Sequence, residues 1–316
     1  VSAIRSAPLA GGRPALLVHG GAWAIPDDEL DAHRDGLRQA LARGRALLVA
    51  GAPAVEVVAE TVVVLEAHPA FDAGTGSVLD RSGRPSLDAG IMCGASARWG
   101  AVAHVRRLAH PVRTARRLLA DDGQARLMVG EGAETFATEH GEPLAEPDAL
   151  VVDRERQRFA ALEAASRFHT ARAFSGEDQP RGTVGAVALD ASGQLAAATS
   201  TGGAPYTRPG RVGDTPLPGC GFFAGPEAAA SATGWGEAIA AALLCCRVVD
   251  AVTGGTSPEE AAGDGIARMG RLAWGAEPAT GGLILLDARG RGAWAYSTPR
   301  MARGGWRAGD ESWVDV

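Results

Sequence analysis

Small and apolar residues alternate through 184–189 and again through 195–201, with the polar run Asp190-Ala-Ser-Gly193 between them. Val184, Ala186 and Ala188 share one side of such a strand and Gly185, Val187 and Leu189 the other, which predicts a hairpin buried on both faces. Asp190 initiates the turn and Gly193 supplies its positive φ. Earlier, "PALLVHGGAWAI" reads as a short strand that ends at His19 in a Gly20-Gly21 turn. Helical spacing follows at 28–45 and 52–66, the second with Pro53 in its first turn. "HPAFDAGTGSVLDRSGRPSLDAGIMCG" reads as a loop leading into two strands joined at "DRSG", and "WGAVAHV" continues the strand pattern. "PVRTARRLLADDG" has the Pro and Gly placement of a helix. The charged, then polar stretch 153–182 reads as a linker. Beyond it come the hairpin, helices at 237–252 and 257–274, and a second hairpin in "GGLILLDARGRGAWAYST" with an apolar run from Leu283 to Leu286. This grouping predicts a layered α+β sandwich rather than an alternating parallel βαβ fold.

Composition narrows the function. At 316 residues with 46% hydrophobic content, the chain has ample material for a large core. A net charge of −6 and the lack of a basic stripe argue against a nucleic-acid partner. No apolar run approaches the ~20 residues of a membrane span, and no basic segment followed by an apolar one stands at the start, so a soluble cytoplasmic protein is expected. Cys93, Cys220, Cys245 and Cys246 lack metal spacing or a paired framework and read as reduced thiols. The histidines form no HExxH or Cys/His cluster, so no catalytic transition metal is expected. The absence of both Lys and Asn fits a GC-rich coding bias.

Single motifs carry little. "HGGA" at 19–22 is similar to the oxyanion loop of esterases, but the GxSxG nucleophile elbow of those enzymes is missing. "GTGS" at 74–77 completes neither GxGxxG nor a P-loop. Joined, Gly182-Thr183, "STGG" at 200–203, "GRVGD" at 210–214 and "ATGWGE" at 232–237 offer more. They bring hydroxyls at Thr183, Thr201 and Thr233, free amides at Gly234 and Gly236, and one cation and one anion in Arg211 and Asp214. Arg211 can grip an α-carboxylate as a fork while Asp214 takes the α-ammonium, so the set suits a zwitterionic amino acid.

The ordered series "LLVHGGAW", "LEAHPAFDAGTGSVLD", "LDAGIMCG", "GAVAHVRRLAHPVRTAR", "GTVGAVALD", "AAATSTGG", "PGRVGDTPLPGCG" and "SATGWGE" resembles the plant-type asparaginase and isoaspartyl peptidase family of N-terminal nucleophile hydrolases. It spans nearly the whole chain outside the linker. The resemblance implies a four-layer αββα sandwich and a precursor that cuts itself between Gly182 and Thr183. Residues 1–182 would then form an α-subunit and 183–316 a β-subunit, together one domain, with two such pairs assembling. Thr183 would be the nucleophile and its freed α-amine the general base, whose reference pKa of about 7.7–8.0 suits neutral pH. Thr201 would polarise the nucleophile, Thr233 and Gly234 would form the oxyanion hole, and Arg211, Asp214 and Gly236 would bind the aspartyl half. Main-chain carbonyls of Leu65, Glu66, His68, Phe71, Ala73 and Thr75 would wrap a structural sodium ion, with no cofactor needed for catalysis. The expected substrate is a small molecule, L-asparagine or a β-aspartyl dipeptide. A glycosylasparaginase and a non-processing amino-acid binder are the alternatives.

The chain departs from the family pattern in three places. Asp72 stands where relatives carry Asn beside the nucleophile, "GGAPYT" replaces "GGMTNK", and "TGWG" replaces "TGTG". Trp235 and Tyr206 are therefore candidate contacts for the leaving group, with packing in the core as the alternative for Trp235, and Asp72 is expected as a contact within the substrate site.

Overall fold

The hairpin at 184–201 lies in the middle of the larger of two sheets. The computed structural model describes residues 3–9, 11–165, 182–272 and 278–316. Strand β6 (Val184–Leu189) pairs with β7 (Leu195–Thr201) from Val184 opposite Ser200 to Leu189 opposite Leu195, and every residue of both is buried. On the other edge of β6 runs β2 (Ala15–Trp23), with His19 opposite Gly185. The sheet continues beyond β2 with β12 (Arg300–Arg307) and β13 (Trp313–Asp315), and beyond β7 with β3 (Leu87–Cys93), β4 (Trp99–Val105) and β5 (Leu127–Val129). The second sheet has the order β1 (Arg5–Leu9), β11 (Gly292–Tyr296), β10 (Gly281–Asp287), β9 (Ala228–Gly234), β8 (Phe222–Ala224).

The two-residue period of the strands sorts their side chains into separate cores. Leu17, Val187, Leu189 and Ile284 meet Phe222 and Met301 between the sheets. Leu16, Val18, Val184 and Ala186 point the opposite way, against α1 (Leu30–Val49), α2 (Ala54–Ala67) and α3 (Pro111–Ala120). Leu283 and Leu285 of the smaller sheet pack on α7 (Leu244–Thr253) and α8 (Pro258–Gly270) through Val248, Ile266 and Met269. The sheets approach closely at Gly90, where an added Cβ would stand 2.0 Å from the Phe222 ring. Burying a ring of that size contributes about 1.5–3 kcal/mol.

Several expectations need correction. β2 does not end at His19 but continues through Gly20-Gly21 to Trp23. No strand pair forms around "DRSG"; a single bridge joins Leu79 to Pro85, and Asp80 folds the loop by accepting the Ser82 amide at 2.8 Å. The helix expected over 237–252 is two, α6 (Gly236–Ala242) and α7, because Leu243 between them adopts the left-handed conformation at φ 49°. Residues 153–165 of the supposed linker are α5 (Asp153–Ala165), which buries Leu162, whereas 166–181 lie outside the described residues, as does Trp274 of the last expected helix. α4 (Gly130–Glu139) and β12 are elements the pattern does not predict. In β12, Arg303 is 5% exposed, stacked 4.0 Å over Trp294 and paired with Asp315, so a charged residue occupies a strand interior. Among the described residues, no helix is long and apolar enough to cross a membrane.

Candidate active site

Thr183 precedes β6, and the pairing of β6 with β2 brings the glycines of "HGGA" against it. Gly21, at φ +105°, touches Gly182 so closely that a Cβ on Gly21 would be 2.7 Å from the Gly182 Cα. The two glycines are therefore needed for backbone approach beside the Gly182-Thr183 bond. The adjoining Ala22 amide donates to Thr233 Oγ1 at 3.3 Å, tying the end of β9 to the same place. Across the hairpin, Thr183 Oγ1 donates to Thr201 Oγ1 at 3.2 Å, and Thr201 Oγ1 also accepts the Gly203 amide at 3.1 Å. Thr183 is 7% exposed. Three hydroxyls and the Gly182-Thr183 bond thus converge from three strand ends.

The charged residues adjoin this cluster through Gly236. A Cβ at Gly236 would stand 2.8 Å from both Arg211 Nη2 and Asp214 Oδ1, so the missing side chain is what lets the three groups meet. The strand before it is set by Gly234, at φ +135° and pressed on Gly281. Burial pushes the Asp214 carboxyl up to about 7, against the pull of the Arg211 charge. Its Oδ2 is buried without a hydrogen-bond partner among the described residues, and a buried oxygen without one is uncommon. Arg211 donates through Nε and Nη2 to the two oxygens of Glu237, each at 2.9 Å. Burial opposes ionisation of Glu237, but the hydrogen bonds and charge of Arg211 prevail and hold the carboxyl below its usual range.

The structure also brings in residues that the sequence reading does not single out. Glu237 fixes the Arg211 fork. Asp88, opposite Thr201 in the β3–β7 ladder, is 1% exposed and raised to about 6 by burial while accepting the His104 amide at 2.8 Å. His19 Nε2 shares a hydrogen bond of 2.8 Å with Ser231 Oγ, which meets Thr199 Oγ1 at 2.8 Å. Burial drives this imidazole down to about 3 despite a backbone hydrogen bond with Thr183, so it is neutral at physiological pH. The "SATGWGE" and "LDAG" segments contain Ser231, Glu237 and Asp88, but a residue's partner across the fold is not written in its own motif.

Of the departing residues, Asp72 is fully buried, with Oδ1 accepting the Val78 amide at 3.0 Å and standing 2.2 Å from where a Gly202 Cβ would be. That places it one residue from Thr201. Trp235 is 6% exposed and packs between the smaller sheet and its helices, the core placement that the sequence leaves open as the alternative to a leaving-group contact. Tyr206 is half-buried and lines an open cavity with Arg211 and Glu237.

In the loop 65–75, the carbonyl oxygens of Glu66 and Ala109 converge on Gly74, 2.4 and 2.5 Å from an added Cβ. Those of Phe71 and Pro69 converge on Gly76 at 2.5 and 2.8 Å. These close approaches are what require glycine at both positions, which lie at φ +53° and +97°. Among the described residues, no group of three His, Cys, Asp or Glu side chains is placed to hold a metal.

Comparison with known proteins bears on the same residues. The family described as Asparaginase matches residues 12–315. An isoaspartyl peptidase/L-asparaginase of Danio rerio is 38% identical over 92% of this chain and 91% of its own length. A plant-type L-asparaginase of Pyrobaculum calidifontis is 41% identical over 93% and 97%. An isoaspartyl peptidase of Escherichia coli is 39% identical over 95% and 94%. With the match covering Thr183, the strand that ends in Thr201 and the segment that carries Arg211 and Asp214, the chain belongs to the asparaginase family.

Proposed function

We propose that this chain is a self-processing threonine hydrolase that cleaves β-aspartyl dipeptides and the side-chain amide of L-asparagine, releasing L-aspartate. The observation that carries the reading is the Thr183–Thr201 hydroxyl pair at 3.2 Å, immediately after Gly182. The buried cation and anion around Gly236 and the names of the relatives support it. In the first reaction the Thr183 hydroxyl attacks the Gly182 carbonyl, the peptide C–N bond breaks, and an ester forms. The Thr183 nitrogen takes the hydroxyl proton and becomes the free α-amine, and water then hydrolyses the ester to release the Gly182 carboxylate and restore the Thr183 hydroxyl. Fragments 1–182 and 183–316 then remain together as one αββα sandwich of four layers, and two such pairs associate.

In the second reaction the freed amine takes the proton of Thr183 Oγ1 as the oxygen attacks the substrate's side-chain carbonyl. Thr201 polarises the hydroxyl, and Thr233 Oγ1 with the Gly234 amide receives the developing oxyanion. The ammonium returns its proton to the departing amine or ammonia, and water then hydrolyses the aspartyl ester. Arg211 holds the α-carboxylate, while Asp214 and Gly236 hold the α-ammonium end. The carbonyls of Leu65, Glu66, His68, Phe71, Ala73 and Thr75 would hold a sodium ion, whose charge would tie together the loop behind the site. The test is aspartate release by the processed protein, with kcat/KM expected to be higher for a β-aspartyl dipeptide than for L-asparagine because the second residue adds binding energy. No release from either overturns the reading.

Two pH predictions follow from the buried carboxyls. Asp214 binds an ammonium only when ionised, and its pKa of about 7 leaves it mostly protonated at pH 6. Calorimetric affinity for L-aspartate should therefore weaken as pH falls, by roughly tenfold at pH 6 relative to the alkaline limit. A flat profile from pH 6 to 8 contradicts the assignment of Asp214. Asp72, placed one residue from Thr201, would favour the ammonium form of the Thr183 amine and raise its pKa. Asp72→Asn is therefore expected to move the acidic limb of the kcat profile to lower pH, and an unmoved limb removes Asp72 from the site.

A further inference from the structure

We infer that the mouth of this site selects β-aspartyl peptides whose second residue is itself acidic, glutamate or aspartate, with Arg81 and Arg208 as specificity-determining residues. The inference rests on the β-aspartyl hydrolase reading. A cavity of about 440 Å³ shares Arg211 and Glu237 with the aspartyl site and is otherwise lined by residues 207–210, Arg81 and Tyr206. Tyr206 is five residues beyond Thr201, whose hydroxyl meets that of Thr183, so one short segment joins the reacting strand end to the cavity. An ammonia leaving group needs none of this space, whereas a whole amino acid does.

The charge of the cavity is one-sided. Arg211 is answered by Glu237, but neither Arg81 nor Arg208 has an ion-pair partner among the described residues. Arg81 is also held in place before any ligand arrives. Its amide donates to the Thr207 carbonyl at 2.9 Å, its Nε donates to the Tyr206 carbonyl at 3.0 Å, and its guanidinium stands 5.5 Å over the Tyr206 ring. Tyr206 is itself fixed at φ +54° by donating its amide to Leu79 at 2.7 Å, with its ring 5.8 Å from that of Phe159. The remaining guanidinium donors of Arg81 therefore lose little freedom on binding. Two cations face one leaving residue, and glutamate or aspartate brings two carboxylates, one on the backbone and one on the side chain. Glutamine brings only the first, and lysine adds a third positive charge.

The experiment compares kcat/KM of the processed enzyme for β-aspartyl-glutamate, β-aspartyl-glutamine and β-aspartyl-lysine, leaving residues of similar reach. Glutamate should exceed glutamine by up to about fivefold, the range for exposed ion pairs, with lysine lowest. The glutamate-to-glutamine ratio should fall toward one in about 1 M salt, where screening acts within ~3 Å, and in the double variant Arg81→Met, Arg208→Met. Equal wild-type values for glutamate and glutamine overturn the inference while leaving the β-aspartyl reading intact, and so does a ratio that survives in the double variant. If that variant does not process itself, the salt dependence of the wild type decides alone. Hydrolysis of none of the three peptides removes the underlying reading and this inference with it.

Discussion

Thr183→Ala is expected to remain a single uncut chain and to lose at least about 10⁴-fold in activity, the scale on which removing a nucleophile acts. Two functions depend on the one hydroxyl. Without it nothing attacks the Gly182 carbonyl, so no α-amine is freed, and the general base is lost along with the nucleophile. Thr201 cannot take over, although its Oγ1 is only 3.2 Å away, because it lies at the end of β7 with no scissile bond before it. The substitution removes one hydroxyl and one methyl from a residue that is 7% exposed, so the fold should persist and thermal unfolding should show it. Thr183→Ser keeps the attacking oxygen and should cleave, more slowly than the parent. Intact mass reads both outcomes. Cleavage of Thr183→Ala at the same bond would exclude the hydroxyl from the reaction.

Arg211→Ala should lower kcat/KM by about 2–5 kcal/mol, the cost of removing one partner from a buried charge pair, which corresponds to roughly 30- to several thousand-fold. The loss has two parts. The substrate's α-carboxylate loses its fork, and Glu237, Asp88 and Asp214 lose the cation that faces all three. Without that charge the Asp214 carboxyl ionises less readily, so ammonium binding weakens as well, and the defect should appear mainly in KM. Arg211→Lys keeps the charge without the two parallel bonds to Glu237 and should fall between the parent and alanine. A processed Arg211→Ala enzyme that turns over substrate as the parent does would show that the α-carboxylate is held elsewhere.

The central hairpin was legible because strict alternation admits one placement: Val184 and Ala186 toward the helices, Val187 and Leu189 toward the other sheet. Thr183 and Thr201 become neighbours from that pairing alone, and the ordered motifs supplied the reason to look there. The break at Leu243 was not legible, since apolar spacing continues on both sides and a left-handed leucine leaves no signal in composition. β12 hid behind Arg and Gly because its arginine is satisfied by Trp294 and Asp315, residues whose proximity only the fold creates. The same limit applies to Glu237 and Asp88, which belong to the site through partners distant in sequence. Trp235 could be read from its motif either as a contact or as a core residue, and only the packing of the smaller sheet on its helices shows that the side chain is buried there.

The most direct measurement is a single time course in which freshly purified chain is incubated with β-aspartyl-glutamate, and protein mass and free L-aspartate are followed together. The account predicts conversion of the 316-residue chain into fragments 1–182 and 183–316, with the rate of aspartate release rising in proportion to the fragments. Release of aspartate by a chain that stays intact, or cleavage at a bond other than Gly182-Thr183, would contradict it.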